Sequence, residues 1–229
     1  MARTPETPKT EIVTPMGKRE ANKRKKLDKI ARAAKLVFTK NGFDATTMQQ
    51  IAKTAGVAVG TLFLYADNKR DLAYVATQDD FNMAREKAFE VPDTLPLTDQ
   101  IEQIFLPYFE LHNANSEMAK IVLGEFNFNL GAQARQHVEG IAMTKLLLAR
   151  RVSIRQQVGE IDPTINPDEI ATIFYFLYQG VVREWVRSGA ISAQGGARML
   201  RRAIETVVDG LRNRREMTTH DTEVKHAPG

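Results

Sequence analysis

Apolar residues recur along this chain at helical spacing. Between Lys23 and Asn41, the residues Leu27, Ile30, Ala31, Ala34, Val37 and Phe38 fall at i, i+3, i+4, i+7, i+10 and i+11, while Lys25, Lys29 and Arg32 lie on the other side. That is one apolar face of a helix. Asn41-Gly42 ends it, because glycine accepts the left-handed conformation that helix ends favour. Thr47 with Gln50 three residues on is a capping-box pattern, and Met48, Ile51, Ala52 and Ala55 form the apolar stripe of a second, short helix. Gly56-Val57 breaks that helix. A third short segment, Val59 to Tyr65, precedes Asn68, whose partner Asp71 at the third helical position marks the start of a longer helix to about Phe89.

Pro92 and Pro96 bound a linker. Beyond it the pattern predicts helices over 98–113, 116–128, 132–159, 167–188 and 193–213. Asn166-Pro167-Asp168-Glu169 starts one of them with a capping residue, proline at the first helical position and an acid at the third. Ser188-Gly189 ends it. No run alternates apolar and polar residues as a half-buried strand does, and no internal repeat occurs, so the fold class is all-α. Residues 1–20, rich in Pro, Thr, Lys and Glu without an apolar period, read as a disordered basic arm, and 216–229 as a flexible tail.

Composition narrows the function. With 43% hydrophobic residues in 229, the chain can bury a real core. It has no cysteine, which removes disulfide frameworks, thiol catalysis, zinc fingers and iron–sulfur sites together and fits a reducing compartment. The longest nearly uncharged stretch, Ile170 to Val182, is 13 residues, short of the roughly 20 that span a bilayer. The first residues lack the apolar core of a signal peptide. A cytoplasmic protein without a membrane partner is expected.

Charge is unevenly spread. Residues 1–71 hold 15 basic and 7 acidic residues, while the whole chain carries 32 and 28. A basic head on a mildly acidic body suits a head that meets a polyanion, though a solvated basic tail has the same composition. For an enzyme there is no support: no Gly-rich phosphate loop, no Gly-x-Ser-x-Gly elbow, no histidine pair at i, i+4. Asp79-Asp80 are adjacent and diverge on a helix. His112 and His137 stand without neighbouring ligand spacing, so neither a metal nor a cofactor is expected.

Two short helices joined by a Gly-containing turn and held by a longer first helix have the arrangement of a helix-turn-helix. Periodicity does not separate this from any three-helix bundle. The residue pattern does. Ile30, Ala34, Phe38, Gly42-Phe43, Thr46-Thr47, Ile51-Ala52, Ala55-Gly56-Val57, Gly60-Thr61-Leu62-Phe63, Tyr65, Asn68-Lys69 and Asp71-Leu72 resemble the TetR family of transcriptional regulators at its own spacing. The resemblance covers residues 24–84. It implies an N-terminal three-helix helix-turn-helix domain there, with the motif at 47–66, and a C-terminal helical ligand-binding and dimerisation domain over 85–215.

Carried over by position, the resemblance implies a DNA-binding site. Thr47 caps the second helix and offers its hydroxyl or backbone N–H to a phosphate. Gln49 points toward the groove, where its amide can pair with adenine; a solvated surface role is the alternative. Ala58, Val59 and Gly60 open the recognition helix and can offer only apolar contacts. Thr61, Tyr65 and Lys69 are phosphate clamps. Family members often carry Ser or Thr where Ala58 stands, Tyr where Phe63 stands and Phe where Ala66 stands. Losing the first removes an N-cap, about 1 kcal/mol of local stability. Leu62 and Val57 are expected in the core, and Phe63 in packing rather than on DNA. Lys23 to Lys26 suit phosphate or minor-groove contact, or a solvated charge run.

In the body, 167–188 carries Ile170, Phe174, Leu177, Val181 and Trp185, and 193–213 carries Leu200, Ile204, Val207, Val208 and Leu211. In the family the last two long helices pair with their copies. Phe174, Val181, Trp185, Leu200, Ile204, Val207 and Leu211 are therefore the expected dimer interface, a purely intramolecular core being the alternative for each residue. Phe105, Tyr108, Phe109 and Phe126, with Phe128 and a helix kinked at Pro107, are the expected ligand pocket, although aromatics at this spacing also form plain core. The resemblance thus implies a homodimeric, ligand-responsive regulator, a repressor, binding a palindromic double-stranded DNA operator and a hydrophobic or amphipathic small-molecule effector. Two alternatives stay open on sequence: a small-molecule sequestering protein with a vestigial head, and an architectural DNA-binding protein without sequence preference.

Overall fold

A computed structural model describes residues 17–125, 132–189 and 192–211, with the backbone alone for 132–134. Among them are nine helices and no strand: α1 (Lys18–Asn41), α2 (Met48–Ala55), α3 (Val59–Leu62), α4 (Lys69–Phe89), α5 (Leu97–Ala114), α6 (Ser116–Glu125), α7 (Ala132–Gln157), α8 (Pro167–Arg187) and α9 (Ala193–Leu211). The expected all-α architecture, a helix-turn-helix followed by a helical body, is present.

The ends of the helices follow their local chemistry. Thr47 and Gln50 form the full capping box: Thr47 Oγ1 accepts from the Gln50 N–H at 3.2 Å and Gln50 Oε1 accepts from the Thr47 N–H at 2.8 Å. Gly56 closes α2 at φ 64°, ψ 40°, a left-handed conformation that a side chain would strain. Asn68 caps α4 by accepting from the Asp71 N–H at 2.9 Å, and Asn166 caps α8 from the Asp168 N–H at 2.9 Å, with Pro167 at the first position.

Several boundaries differ from the sequence pattern. α1 begins at Lys18, so the part of the expected arm that is described, residues 17–20, is helical from its second residue. No proline lies between Lys18 and Asn41, Glu20 suits the first turn, and the Gly17 carbonyl accepts from the N–H groups of Glu20 (2.9 Å) and Ala21 (3.1 Å). The remainder of the arm, residues 1–16, and the tail lie outside the described residues. The third segment is α-helical only to Leu62. Past it the Leu64 and Tyr65 N–H groups bond three residues back, to Thr61 (3.3 Å) and Leu62 (2.8 Å), a tightened last turn. α7 stops at Gln157, two residues before Gly159 at φ 81°.

Two apolar cores form. The first gathers Ile30, Ala34, Phe38, Ile51, Leu62, Leu72 and Ala73 of α1–α4 and takes in Met118, Ile121 and Val122 of α6. The head therefore shares its interior with a body helix. Asn115 Nδ2 donates to Thr39 Oγ1 (2.7 Å), Lys35 Nζ meets Asp80 Oδ2 (2.5 Å), and Arg70 donates to Glu125 Oε2 from Nε (2.8 Å) and Nη2 (2.7 Å). The Arg70 and Asn115 bonds tie the head to the ends of α6.

The second core lies among α5, α7, α8 and α9. Here the dimer expectation needs correcting. Phe174, Trp185, Leu200 and Ile204 are buried inside the protomer, and Val181, Val207 and Leu211 pack on that core as partly buried edges. An amphipathic stripe serves its own core first. On α8 and α9 the large apolar side chains left outward are Ile173 (43% exposed), Phe176 (63%) and Met199 (39%). The linker is also pinned. Arg151 and Arg155 of α7 are buried; Arg151 donates to the Val91 carbonyl, Arg155 to those of Asp93 (2.9 Å) and Leu95, and Gln100 Nε2 to Asp93 (3.0 Å) and Leu95 (2.5 Å). Buried charge is tolerated there because carbonyl oxygens receive it.

Candidate DNA-binding face and ligand cavity

The residues expected to contact DNA lie at the start of α2, along and just past α3, and at the start of α4. Thr47 and Gln49 are exposed on the first turn of α2, and Ala58 and Gly60 are exposed at the start of α3. Val59, Thr61 and Tyr65 are half-buried, Val59 and Tyr65 packing on the head core. Thr47's backbone N–H is already used by Gln50, so its hydroxyl proton is the group it can offer a phosphate. Ala58 caps α3 without a side-chain bond. Leu62 is fully buried and Val57 packs on the core, as expected. Phe63, expected in packing, is instead 51% exposed, and its neighbour Leu64 is 79% exposed. The tightened end of α3 leaves both side chains outside the core.

Lys69 has a second task. Its ammonium donates to the carbonyls of Phe43 (2.6 Å) and Asp44 (3.2 Å) and lies 4.4 Å from the centre of the Phe43 ring. The turn between α1 and α2 is thereby tied to the start of α4. An ammonium has three protons, so one direction remains for a phosphate. Along α1, Lys18, Arg19, Lys23, Arg24, Lys25, Lys26, Lys29 and Arg32 are exposed, a concentration of positive charge on the first helix of the head.

The body holds a cavity of about 440 Å³ between α4, α5, α7 and α8, with Val122 and Leu123 of α6 at its margin. That is within the range of about 300–1,000 Å³ usual for small-molecule sites. Phe105 and Tyr108 line it, as expected. Phe109 does not: it is buried against Trp185 (5.3 Å between rings, edge-on) and Gly196, on the α9 side of α5. Phe126 and Phe128 lie outside the described residues. Pro107 sits within an unbroken α5 and is not part of the lining. Sequence reasoning missed most of the wall: Tyr74, Thr77, Gln78, Phe81 and Arg85 of α4, His137, Ile141 and Thr144 of α7, and Tyr175, Tyr178, Gln179 and Arg183 of α8.

The polar groups of the wall are paired among themselves. The Tyr178 hydroxyl is 3.3 Å from His112 Nε2, the Tyr108 hydroxyl 3.3 Å from Thr144 Oγ1, and Gln179 Nε2 donates to the Tyr175 hydroxyl at 2.7 Å. Burial, reinforced by the charge of Arg183, pushes His112 down to about 4; burial and Arg85 do the same to His137. Burial also holds Tyr178 well above its usual range and raises Tyr175 to about 12. Both histidines are thus neutral at pH 7. A smaller cavity of about 200 Å³ adjoins this one at the head–body junction and shares Thr77, Phe81, His112 and Val122 with it. Among the described residues, no three His, Asp or Glu side chains gather as metal ligands, and no helix is long and apolar enough to cross a membrane.

Residues 30–74 match the profile of bacterial regulatory proteins of the tetR family. Over 187 residues the chain is 26% identical to the fatty acid metabolism regulator protein of Bacillus subtilis, covering 82% of this chain and 81% of that one. Over 222 residues it is 25% identical to the transcriptional regulator TcmR of Streptomyces glaucescens, covering 86% and 87%. The chain is similar to transcriptional regulators of the TetR family, and the family profile matches its head. This regulator also shares its fold with the transcriptional regulator FadR of Bacillus subtilis, solved in complex with stearoyl-CoA, at a TM-score of 0.63 and 19% identity, over 76% of this chain and 95% of that one. It is a DNA-binding regulator of transcription, and its relatives are regulators rather than enzymes.

Proposed function

We propose that the regulator is a homodimeric repressor whose two heads bind a palindromic operator and let go when an amphipathic ligand with an acyl-like chain fills the body cavity. Thr47, Thr61, Tyr65 and Lys69 hold phosphates, Gln49 reads a base, and Ala58, Val59 and Gly60 allow close approach of the recognition helix to the bases. The observation that carries this reading is α4. One rigid helix begins with Lys69 on the DNA side and, five to sixteen residues further, contributes Tyr74, Thr77, Phe81 and Arg85 to the cavity wall. Filling the cavity displaces the same helix that places the head. The chain of the ligand is suggested by the likeness to a fatty acid metabolism regulator and by the apolar surface of Phe81, Phe105 and Ile141.

Linkage sets the test. A ligand that releases DNA binds the free dimer more tightly than the bound one by the factor by which it weakens DNA binding. Labelled DNA from the region next to the regulator's own gene should lose anisotropy as palmitate or palmitoyl-CoA is added, and the same compounds should raise the melting temperature of the free protein. Binding without DNA release would make the protein a sequestering module.

A further inference from the structure

The wall of the main cavity has a charge pattern that an apolar ligand does not explain. Its described lining contains two arginines, two histidines and no aspartate or glutamate. The arginines come from different helices. Arg85 of α4 lies against α7 at Gly140, where a Cβ would meet its Nη1 at 2.5 Å, and donates to Asn82 Oδ1 at 2.6 Å. Arg183 of α8 donates from Nη1 to the Gln179 carbonyl (2.8 Å) and to Gln179 Oε1 (2.5 Å). Each faces a different part of the wall: Arg85 acts on His137 and Tyr108, Arg183 on His112, Tyr175 and Tyr178. The positive field therefore spans the chamber.

A guanidinium drawn out of bulk water gains most from an anion that it can grip with two N–H groups. We infer that the cavity binds an amphiphile whose anionic group lies inside it, held by Arg85 and Arg183, with the apolar part against Phe81 and Phe105. This rests on the proposed ligand role of the cavity and adds the sign of the ligand's charge and its position. The shared chemistry is a carboxylate or phosphate on an apolar body, as a free fatty acid or an acyl thioester of coenzyme A would supply.

The test uses two sets of probes on the full-length protein. The first is a fluorescent pair of one ring system, anionic 8-anilinonaphthalene-1-sulfonate and neutral N-phenyl-1-naphthylamine. The second is palmitate, palmitoyl-CoA and hexadecanol, read by displacement of the bound dye. The anionic dye should bind about tenfold or more tightly than the neutral one, and palmitate or palmitoyl-CoA should likewise outbind hexadecanol. Arg85→Gln and Arg183→Gln should each remove that preference while leaving the neutral probes unchanged, and Arg85→Lys should keep part of it. Whichever of palmitate and palmitoyl-CoA loses affinity in the glutamine variants is the source of the anion. Equal binding of charged and neutral probes to the wild-type protein overturns the inference while leaving an acyl ligand intact. Discrimination within the dye pair, with no acyl compound bound, keeps the inference and overturns the acyl reading.

Discussion

Gly196 of α9 lies directly against the ring of Phe109 of α5; a Cβ there would overlap the ring carbons. Its lack of a side chain lets these two helices come close, and the α9 stripe of Leu200, Ile204 and Val208 then reaches the body core. Gly196→Ala should cost about 1–3 kcal/mol by overpacking, although alanine favours a helix. Urea unfolding measures it. Adding Phe109→Leu should recover part of the loss, and a Gly196→Ala protein as stable as wild type would mean that the ring moves aside freely.

The two cavity histidines make stability depend on pH. Each has a folded pKa of about 4 against 6.5 when exposed, so the unfolded chain binds more protons between those values. Their contribution is whole above about pH 6.5 and is lost as pH falls toward 4, up to about 3 kcal/mol for each ring. A His112→Gln/His137→Gln variant should show a clearly smaller drop in urea midpoint between pH 7 and pH 4.5 than the wild type. Carboxylates titrate equally in both proteins, so an identical drop would remove the histidines as the cause.

Lys69 and Gln49 should fail differently. Lys69→Ala removes two bonds to the α1–α2 turn as well as the proposed phosphate contact. It should destabilise the head, weaken binding to every DNA sequence and make the log–log salt slope shallower by about one. Gln49, exposed and making no side-chain bond among the described residues, should on change to Ala leave stability untouched and relax preference at one base pair per half-site, at about 1–3 kcal/mol. A Lys69→Ala protein with altered sequence preference and unchanged affinity would contradict the assignment.

Subunit pairing should run through what the protomer leaves outside. Ile173 and Phe176 project from α8, and Met199 from α9, the same helices that carry the half-buried Val181 and Val207. Ile173→Glu should give monomers in sedimentation with unchanged helical content, since like charges would meet near the dyad. The same change at Phe174 or Leu200 should unfold the protomer. A stable Ile173→Glu dimer would move the seam elsewhere.

The head was legible because its determinants are local. Thr47 with Gln50, Gly56 and Asn68 with Asp71 each fix a helix end within a few residues, and the structure reproduces each. Which apolar residues of α8 face outward was not, because one stripe mixes Phe174, turned inward, with Ile173, turned outward, and only the packing of the neighbouring helices decides which is which. The cavity was still less so. Its wall draws single faces from α4, α5, α7 and α8, where Tyr74, Thr77, Phe81 and Arg85 share a helical face of mixed polarity with no apolar period to announce it. Exposure of Phe63 and Leu64 follows from the early end of α3, a boundary that propensity does not set.

Footprinting of the full-length protein on DNA flanking its own gene tests the central claim most directly. Two heads on one dyad should protect two inverted half-sites whose centres are about one helical turn or a multiple apart, with Gln49→Ala losing contrast at a single symmetric pair. Protection that spreads along any DNA without preference, or none at all from the ligand-free protein, would contradict it.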